Sequence, residues 1–209
     1  MSIIDELSAH LTQALGDAET ARLLAGYLGE DALAWRPPTI AVAQIRSIFA
    51  FTFGNRMLPN GNREPGPVNE ALAERTVELH RATGAPVFAQ WEIAAAVGTR
   101  IAAITAINPH RDDRAEPVYL STGGVVDEIA RLGAEGPVGI VAFADHLYRA
   151  VITARHYGFD AYAPAGVAMP TDYDPQSGQP WCRTRLAYLL HDIMIRVTER
   201  RTALINAAS

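Results

Sequence analysis

The spacing of hydrophobic positions changes along the chain. Near the N-terminus they fall at Ile3, Ile4, Leu7, Leu11 and Leu15, and over 17–28 at Ala21, Leu23, Leu24 and Leu28. Both series follow the helical period and predict a two-helix arm. Gly29 and the Pro37-Pro38 pair are expected to end it, because proline lacks a backbone donor and restricts the residue before it. From Ile48 the pattern becomes a short apolar and aromatic run, Ile48-Phe49-Ala50-Phe51-Thr52-Phe53, which reads as a buried strand entering the tight Gly54-Asn55 turn. Asn69 is placed to cap a helix over 70–82 that stops at Gly84, and 86–90 reads as a second strand. Residues 92–107 are ambiguous: Ala94-Ala95-Ala96 favours helix, whereas 101–107 suits a strand. Beyond them the pattern predicts strand 118–121, helix 123–132, strand 138–143, helix 145–157 and strand 161–164. Such alternation predicts an α/β domain whose sheet is mainly parallel, with helices on both faces. Residues 165–183, rich in proline and glycine and without periodicity, read as a long loop that serves a site. A last helix over about 184–201 closes a single domain, 1–209, made of an N-terminal helical arm (1–43) and a core (44–209).

Composition narrows the chemistry. The chain has 209 residues, 49% hydrophobic and 20% charged, which suits one compact soluble domain. All 18 basic residues are arginine. Without lysine, neither Schiff-base catalysis nor a Walker-type phosphate lysine is available. A net charge of -5 and the lack of an arginine-rich helix argue against nucleic acid as a partner. Cys182 stands alone and no Cys/His group has zinc spacing, so neither a disulfide nor a metal is expected. The acidic opening Met1-Ser2-Ile3-Ile4-Asp5-Glu6 and the absence of a long apolar run point to a cytoplasmic protein with no membrane contact.

In an open parallel sheet ligands sit beyond the carboxyl ends of the strands, where helix N-termini present free N–H groups. Four loops are selected. Gly54-Asn55-Arg56 continues through Asn60-Gly61 and Glu64-Pro65-Gly66 to Asn69, so its backbone either cradles an anion or polar sugar edge or simply turns where glycine is needed. Trp91 and Glu92 follow the second strand, where an aromatic ring meets a base and an acid meets a ribose; otherwise they are a core tryptophan and an exposed first-turn acid. Ser121-Thr122 precede a helix and cap it or bind a ligand, with Gly123-Gly124 allowing close approach. In Asp145-His146-Leu147-Tyr148-Arg149, His146 and Arg149 share one face of a first helical turn. Histidine transfers protons near neutral pH and arginine forks onto anions, unless the pair merely lies on a solvated face. Asp172-Tyr173-Asp174 are either a lid or turn formers.

At these loops the chain resembles the ElyC/SanA/YdcF family, a Rossmann-like group of unknown function. The residues that carry the likeness are Val141-Ala142-Phe143-Ala144-Asp145-His146-Leu147-Tyr148-Arg149-Ala150 followed by Gly158-Phe159-Asp160. They are supported by Phe53-Gly54-Asn55, Asn60-Gly61, Ser121-Thr122 and the closing helix with His191, over about residues 47–200. The chain departs from the family at Gln90-Trp91-Glu92, where Ser-Gly-Gly is usual, and after Ser121-Thr122, where Glu-Asn is absent. The resemblance implies a Rossmann-like doubly wound fold with a cleft for a nucleotide-like or phosphorylated molecule, and makes S-adenosylmethionine a candidate cofactor. Envelope-associated members act behind a membrane anchor, which is not read in this chain.

Together these readings predict a soluble enzyme acting on a small polar, phosphorylated or nucleoside-like metabolite. His146 would be the acid or base, Glu92 a second proton carrier or ribose ligand, and Arg149 the anion clamp. Gly54, Asn55, Arg56, Glu64, Asn69, Trp91, Ser121, Thr122 and Asp145 would line the site. The alternative is a module that binds S-adenosylmethionine or a nucleotide without turnover. The helical arm is also a candidate for pairing two copies into a homodimer.

Overall fold

The computed structural model of the chain describes residues 2–111 and 117–207. Helices α1 (Ile3–Leu15) and α2 (Ala18–Tyr27) are followed by a π-helical turn, Leu28–Ala32. Then come β1 (Thr39–Ile40), β2 (Ser47–Ala50), the hairpin β3 (Arg56–Met57) and β4 (Arg63–Glu64), and α3 (Gly66–Thr83). After β5 (Val87–Gln90) and α4 (Trp91–Val97) lie β6 (Ile104–Ile107) and a second hairpin, β7 (His110–Arg111) with β8 (Pro117–Val118). The chain finishes with α5 (Thr122–Arg131), β9 (Val138–Val141), α6 (Ala144–His156), β10 (Ala161–Pro164) and α7 (Arg185–Ala207).

Six strands form one all-parallel sheet in the order β1-β10-β9-β2-β5-β6. The period-2 alternation of each strand explains the two layers around it. Ile48, Ala50, Val87, Ala89 and Val141 pack on one face with Leu72, Val77 and Ile93 of α3 and α4. Phe49, Phe51, Phe88, Val138 and Ile140 face the other way, onto Val126 and Ile129 of α5 and Ala150 and Val151 of α6. The architecture is a Rossmann-like doubly wound sheet preceded by a helical arm. From β2 the chain proceeds to β5 and β6 on one side and to β9 and β10 on the other, so the order reverses between β2 and β9. Those strands run in register from Ser47 opposite Val138 to Ala50 opposite Val141. Their carboxyl ends therefore open the crevice where ligands collect in such sheets.

The chain divides into two compact units, Met1–Arg36 with Leu189–Ser209, and Pro37–Tyr188. In the first, Ser2 and Asp5 form a capping box for α1, and Asp17 caps α2. Arg196 donates to the carbonyls of Asp31, Ala32 and Ala34, pairs with the buried Asp192 and lies 4.3 Å from the centre of the Trp35 ring. The second unit holds the sheet. Among the described residues no helix is long and apolar enough to cross a membrane.

Several expectations are corrected. Gly29 does not end the arm: the helix runs on as a π turn to Ala32, and the missing side chain leaves room for Ile4. The β2 ladder stops at Ala50 rather than Phe53, because the Thr52 amide turns away to the Gln90 side chain. The ambiguity of residues 92–107 resolves into both elements, α4 ending at Val97 and β6 beginning at Ile104, as the alanine run and the 101–107 stretch each suggest. Val118–Ser121 is not a strand of the main sheet; Pro117–Val118 form one arm of the antiparallel second hairpin. The last helix extends to Ala207, and β1, hidden behind Pro37-Pro38, adds an edge strand beside β10.

Candidate functional site

The segment after β2 is shaped by one side chain. Asn69 does not cap α3, which begins three residues earlier at Gly66 behind Pro65 and so carries Asn69 inside its first turns. Its fully buried amide oxygen accepts from the Thr52 hydroxyl (2.8 Å) and the Phe53 N–H (2.9 Å), while its Nδ2 donates to the Gly54 carbonyl (2.8 Å) and the Pro65 carbonyl (2.7 Å). Asn69 is thus a clamp on the turn rather than a group facing a ligand. Gly54, at φ +70°, needs to be glycine for its backbone and for its neighbour, since a Cβ there would collide with the Ser177 hydroxyl. Ser177 and Gly178 lie over the turn, and the Gly178 N–H donates to the Asn55 carbonyl at 2.6 Å. Arg56 forks onto Asp174 at 2.8 and 3.1 Å, which holds that carboxyl below its ordinary range. Glu64 stands opposite Arg56 in the β3–β4 register.

Glu92 sits in the first turn of α4, one residue beyond the Trp91 that opens it, and is wholly buried, not the exposed acid that a first helical turn suggests. Neither carboxyl oxygen meets hydrogen-bond geometry with a described group, and the buried Asn55 Nδ2 and Trp91 Nε1 likewise find no such acceptor. Burial dominates and pushes Glu92 up to about 7. Its own backbone N–H, Asn55, the Arg63 charge and Thr52 oppose this without overcoming it. Arg63 lies 4.7 Å from the centre of the Tyr119 ring and reaches the Asn55 Oδ1 at 3.5 Å. Tyr119 is raised by burial and then by the nearby Glu92 charge. Beside this group Gln90, Trp91, Asn108, Tyr119, Leu120 and Val125 line a shallow, open depression.

Across the crevice, α6 presents His146 and Arg149, both buried rather than solvated. The His146 ring lies edge-on to Phe51 and to Tyr188, each 6.2 Å away between centres. Arg149 donates to the Thr122 hydroxyl at 2.8 Å and to the Tyr188 hydroxyl at 3.3 Å. Ser121 is the α5 N-cap, accepting from the Gly124 N–H at 3.1 Å. Asp145 accepts from Tyr173 (2.8 Å) and, through both oxygens, from Arg185 (2.9 and 3.1 Å), so it is paired with the start of α7.

Gly54, Asn55, Trp91, Glu92, Ser121, Thr122, Asp145, His146 and Arg149 all follow the carboxyl ends of strands or open the helices beyond them, whereas Arg56 and Glu64 belong to the hairpin and Asn69 to the support behind the turn. Sequence reasoning missed Arg63, Tyr119 and Tyr188. Only Tyr119 carried a signal, as an aromatic two residues before a cap; the others arrive from a hairpin and a helix distant in sequence. Among the described residues no three of His, Cys, Asp and Glu gather as metal ligands. Comparison of the chain with models of known protein families, with curated proteins and with solved structures finds no match.

Proposed function

We propose that the crevice beyond β2, β5 and β9 is the active site of an enzyme acting on a small polar metabolite, phosphorylated or nucleoside-like, with Glu92 and His146 as its proton carriers. The observation that carries this reading is Glu92, a buried carboxyl poised near pH 7 at the end of a central strand. A group with that titration exchanges a proton at neutral pH, which an ordinary glutamate does not do. His146 supplies the second exchangeable proton, and Arg149, oriented by Thr122 and Tyr188, supplies positive charge for an anionic substituent. The motifs that resemble the ElyC/SanA/YdcF family support a nucleotide-like or phosphorylated ligand, and a cytoplasmic setting belongs to the same reading.

A second reading, a module that holds S-adenosylmethionine or a nucleotide without consuming it, draws support from the aromatic and amide groups of Trp91, Tyr119, Gln90 and Asn108 that line the shallow depression beside Glu92. Pairing of two copies through the N-terminal helices is likewise proposed, and the exposure of Ile3, Leu15 and Leu23 supports it.

The test begins with native mass spectrometry of freshly purified protein to identify a retained small molecule, followed by its incubation with wild type, Glu92→Gln and His146→Asn. The enzyme reading expects conversion by wild type and roughly a hundredfold or greater loss in each variant, with affinity largely kept. A retained molecule that no protein converts supports the module; conversion undiminished in Glu92→Gln overturns the role given to that residue.

A further inference from the structure

Residues 174–183 are closed upon themselves. The Gln176 N–H donates to the Asp174 side chain at 3.0 Å and the Ser177 N–H to the Asp174 carbonyl at 3.0 Å. The Gln179 N–H reaches the Ser177 hydroxyl (3.2 Å), the Cys182 N–H the Gln179 carbonyl (2.9 Å), and Arg183 Nε the Ser177 carbonyl (2.7 Å). A segment with its hydrogen bonds satisfied internally keeps its shape when it moves, because motion leaves few of its own polar groups unpaired. The segment is tied to the body of the unit by the Arg56–Asp174 fork and the Gly178-to-Asn55 bond. The two flanks are pinned together: Tyr173 before the segment and Arg185 after it bond the same Asp145 carboxylate.

We propose that 174–183 is a flap hinged at both ends on Asp145 and latched by Arg56–Asp174, which lifts as a body to uncover the Gly54-Asn55 turn. The role given to this motion, admitting substrate to the crevice, rests on the function proposed above; the motion itself does not. Ser177 against Gly54 and Gly178 over Asn55 close the mouth at β2, and Asn55 and Glu92 are 3% and 0% exposed in this state. A molecule reaching them needs an opening, and the flap is the element that lies directly over the Gly54-Asn55 turn.

The flap carries its own reporter. Cys182, the chain's single cysteine, is buried in the core, so reagent reaches it only when the flap lifts or the protein unfolds. Burial also pushes its thiol up to about 12, so every rate is compared at one fixed pH. The experiment measures reaction of Cys182 with 5,5′-dithiobis(2-nitrobenzoate) in wild type, Asp174→Asn and Arg56→Gln without denaturant, beside urea unfolding of each. We expect either variant to label roughly five- to tenfold faster than wild type with little change in the urea midpoint, and the double variant to match the singles, since both remove one interaction. Hydrogen exchange at the Gly178 N–H should accelerate in parallel. Equal labelling in all the proteins, or labelling that follows global unfolding in each, overturns the flap. Should Asp174→Asn fail to fold, Arg56→Gln carries the test alone, because its side chain is a third exposed. Faster labelling in a protein that converts no ligand leaves the flap standing and removes only the enzyme.

Discussion

Glu92 holds its proton to about pH 7 because burial disfavours the carboxylate, whereas in the unfolded chain the same group ionises near 4.5. Between those values the folded protein binds the extra proton, so this residue's contribution to stability falls as pH rises, by at most about 3 kcal/mol across the interval. Asp174 acts in the opposite sense: held down by Arg56, it adds stability above its unfolded value of 3.8 that is lost on acidification. Glutamine keeps the shape of Glu92 and cannot ionise. Glu92→Gln is therefore expected to be about as stable as wild type at pH 5 and roughly 1–3 kcal/mol more stable at pH 8, as read from urea midpoints at the two values. An equal offset at both would mean that Glu92 does not titrate in this range. If the proposed chemistry is right, the same substitution that stabilises the fold abolishes turnover, the usual relation between a strained site and its function.

At the scale of elements, the first turn of α5 separates two meanings of a glycine pair. Two glycines beside Ser121-Thr122 suggest room for a ligand, yet a Cβ on Gly123 would press on the Tyr157 hydroxyl at 2.8 Å, a packing reason that involves no ligand. On Gly124 the nearest atom would be Leu120 Cβ at an ordinary 3.4 Å. Gly124→Ala should thus gain about 0.5–1 kcal/mol from helix propensity, whereas Gly123→Ala gains less or loses, a difference that thermal unfolding resolves. Equal gains would show that Tyr157 yields freely. The pair illustrates where the sequence was legible. Buried runs such as Val138–Val141 and caps such as Ser121 declare themselves because their cause is local: period, branching, a hydroxyl before a helix. Asn69 also looked like a local cap, but Pro65 and Gly66 start the helix earlier and leave it to clamp a turn seventeen residues back. The burial of Glu92 was illegible for a similar reason: the surrounding Asn55, Arg63 and Tyr119 come from three other segments, and no periodicity records their meeting.

For the whole molecule, reliance on arginine in place of lysine matters most where one guanidinium joins several carbonyls. Arg196 gathers Asp31, Ala32 and Ala34 at 3.2, 3.4 and 2.5 Å, stacks on Trp35 and pairs with Asp192, which is wholly buried. Lysine, a compact point charge without the planar fork, does not reproduce that geometry. Among the described residues of the unit formed by the N-terminal helices and the later part of α7, Arg196 is the buried cation. Arg196→Met breaks the buried ion pair with Asp192 and the carbonyl bonds together and should destabilise that unit by about 3–5 kcal/mol. Arg196→Met with Asp192→Leu removes both charges and should recover most of the loss, because a well-packed apolar pair carries no desolvation penalty. Trp35 fluorescence during urea unfolding, in a background where Trp91 and Trp181 are phenylalanine, reports on this unit. A single variant with the wild-type midpoint would show that the carbonyl cluster and ion pair contribute little, and a double variant no better than the single would assign the loss to the Trp35 stack and the carbonyl bonds instead of the broken ion pair.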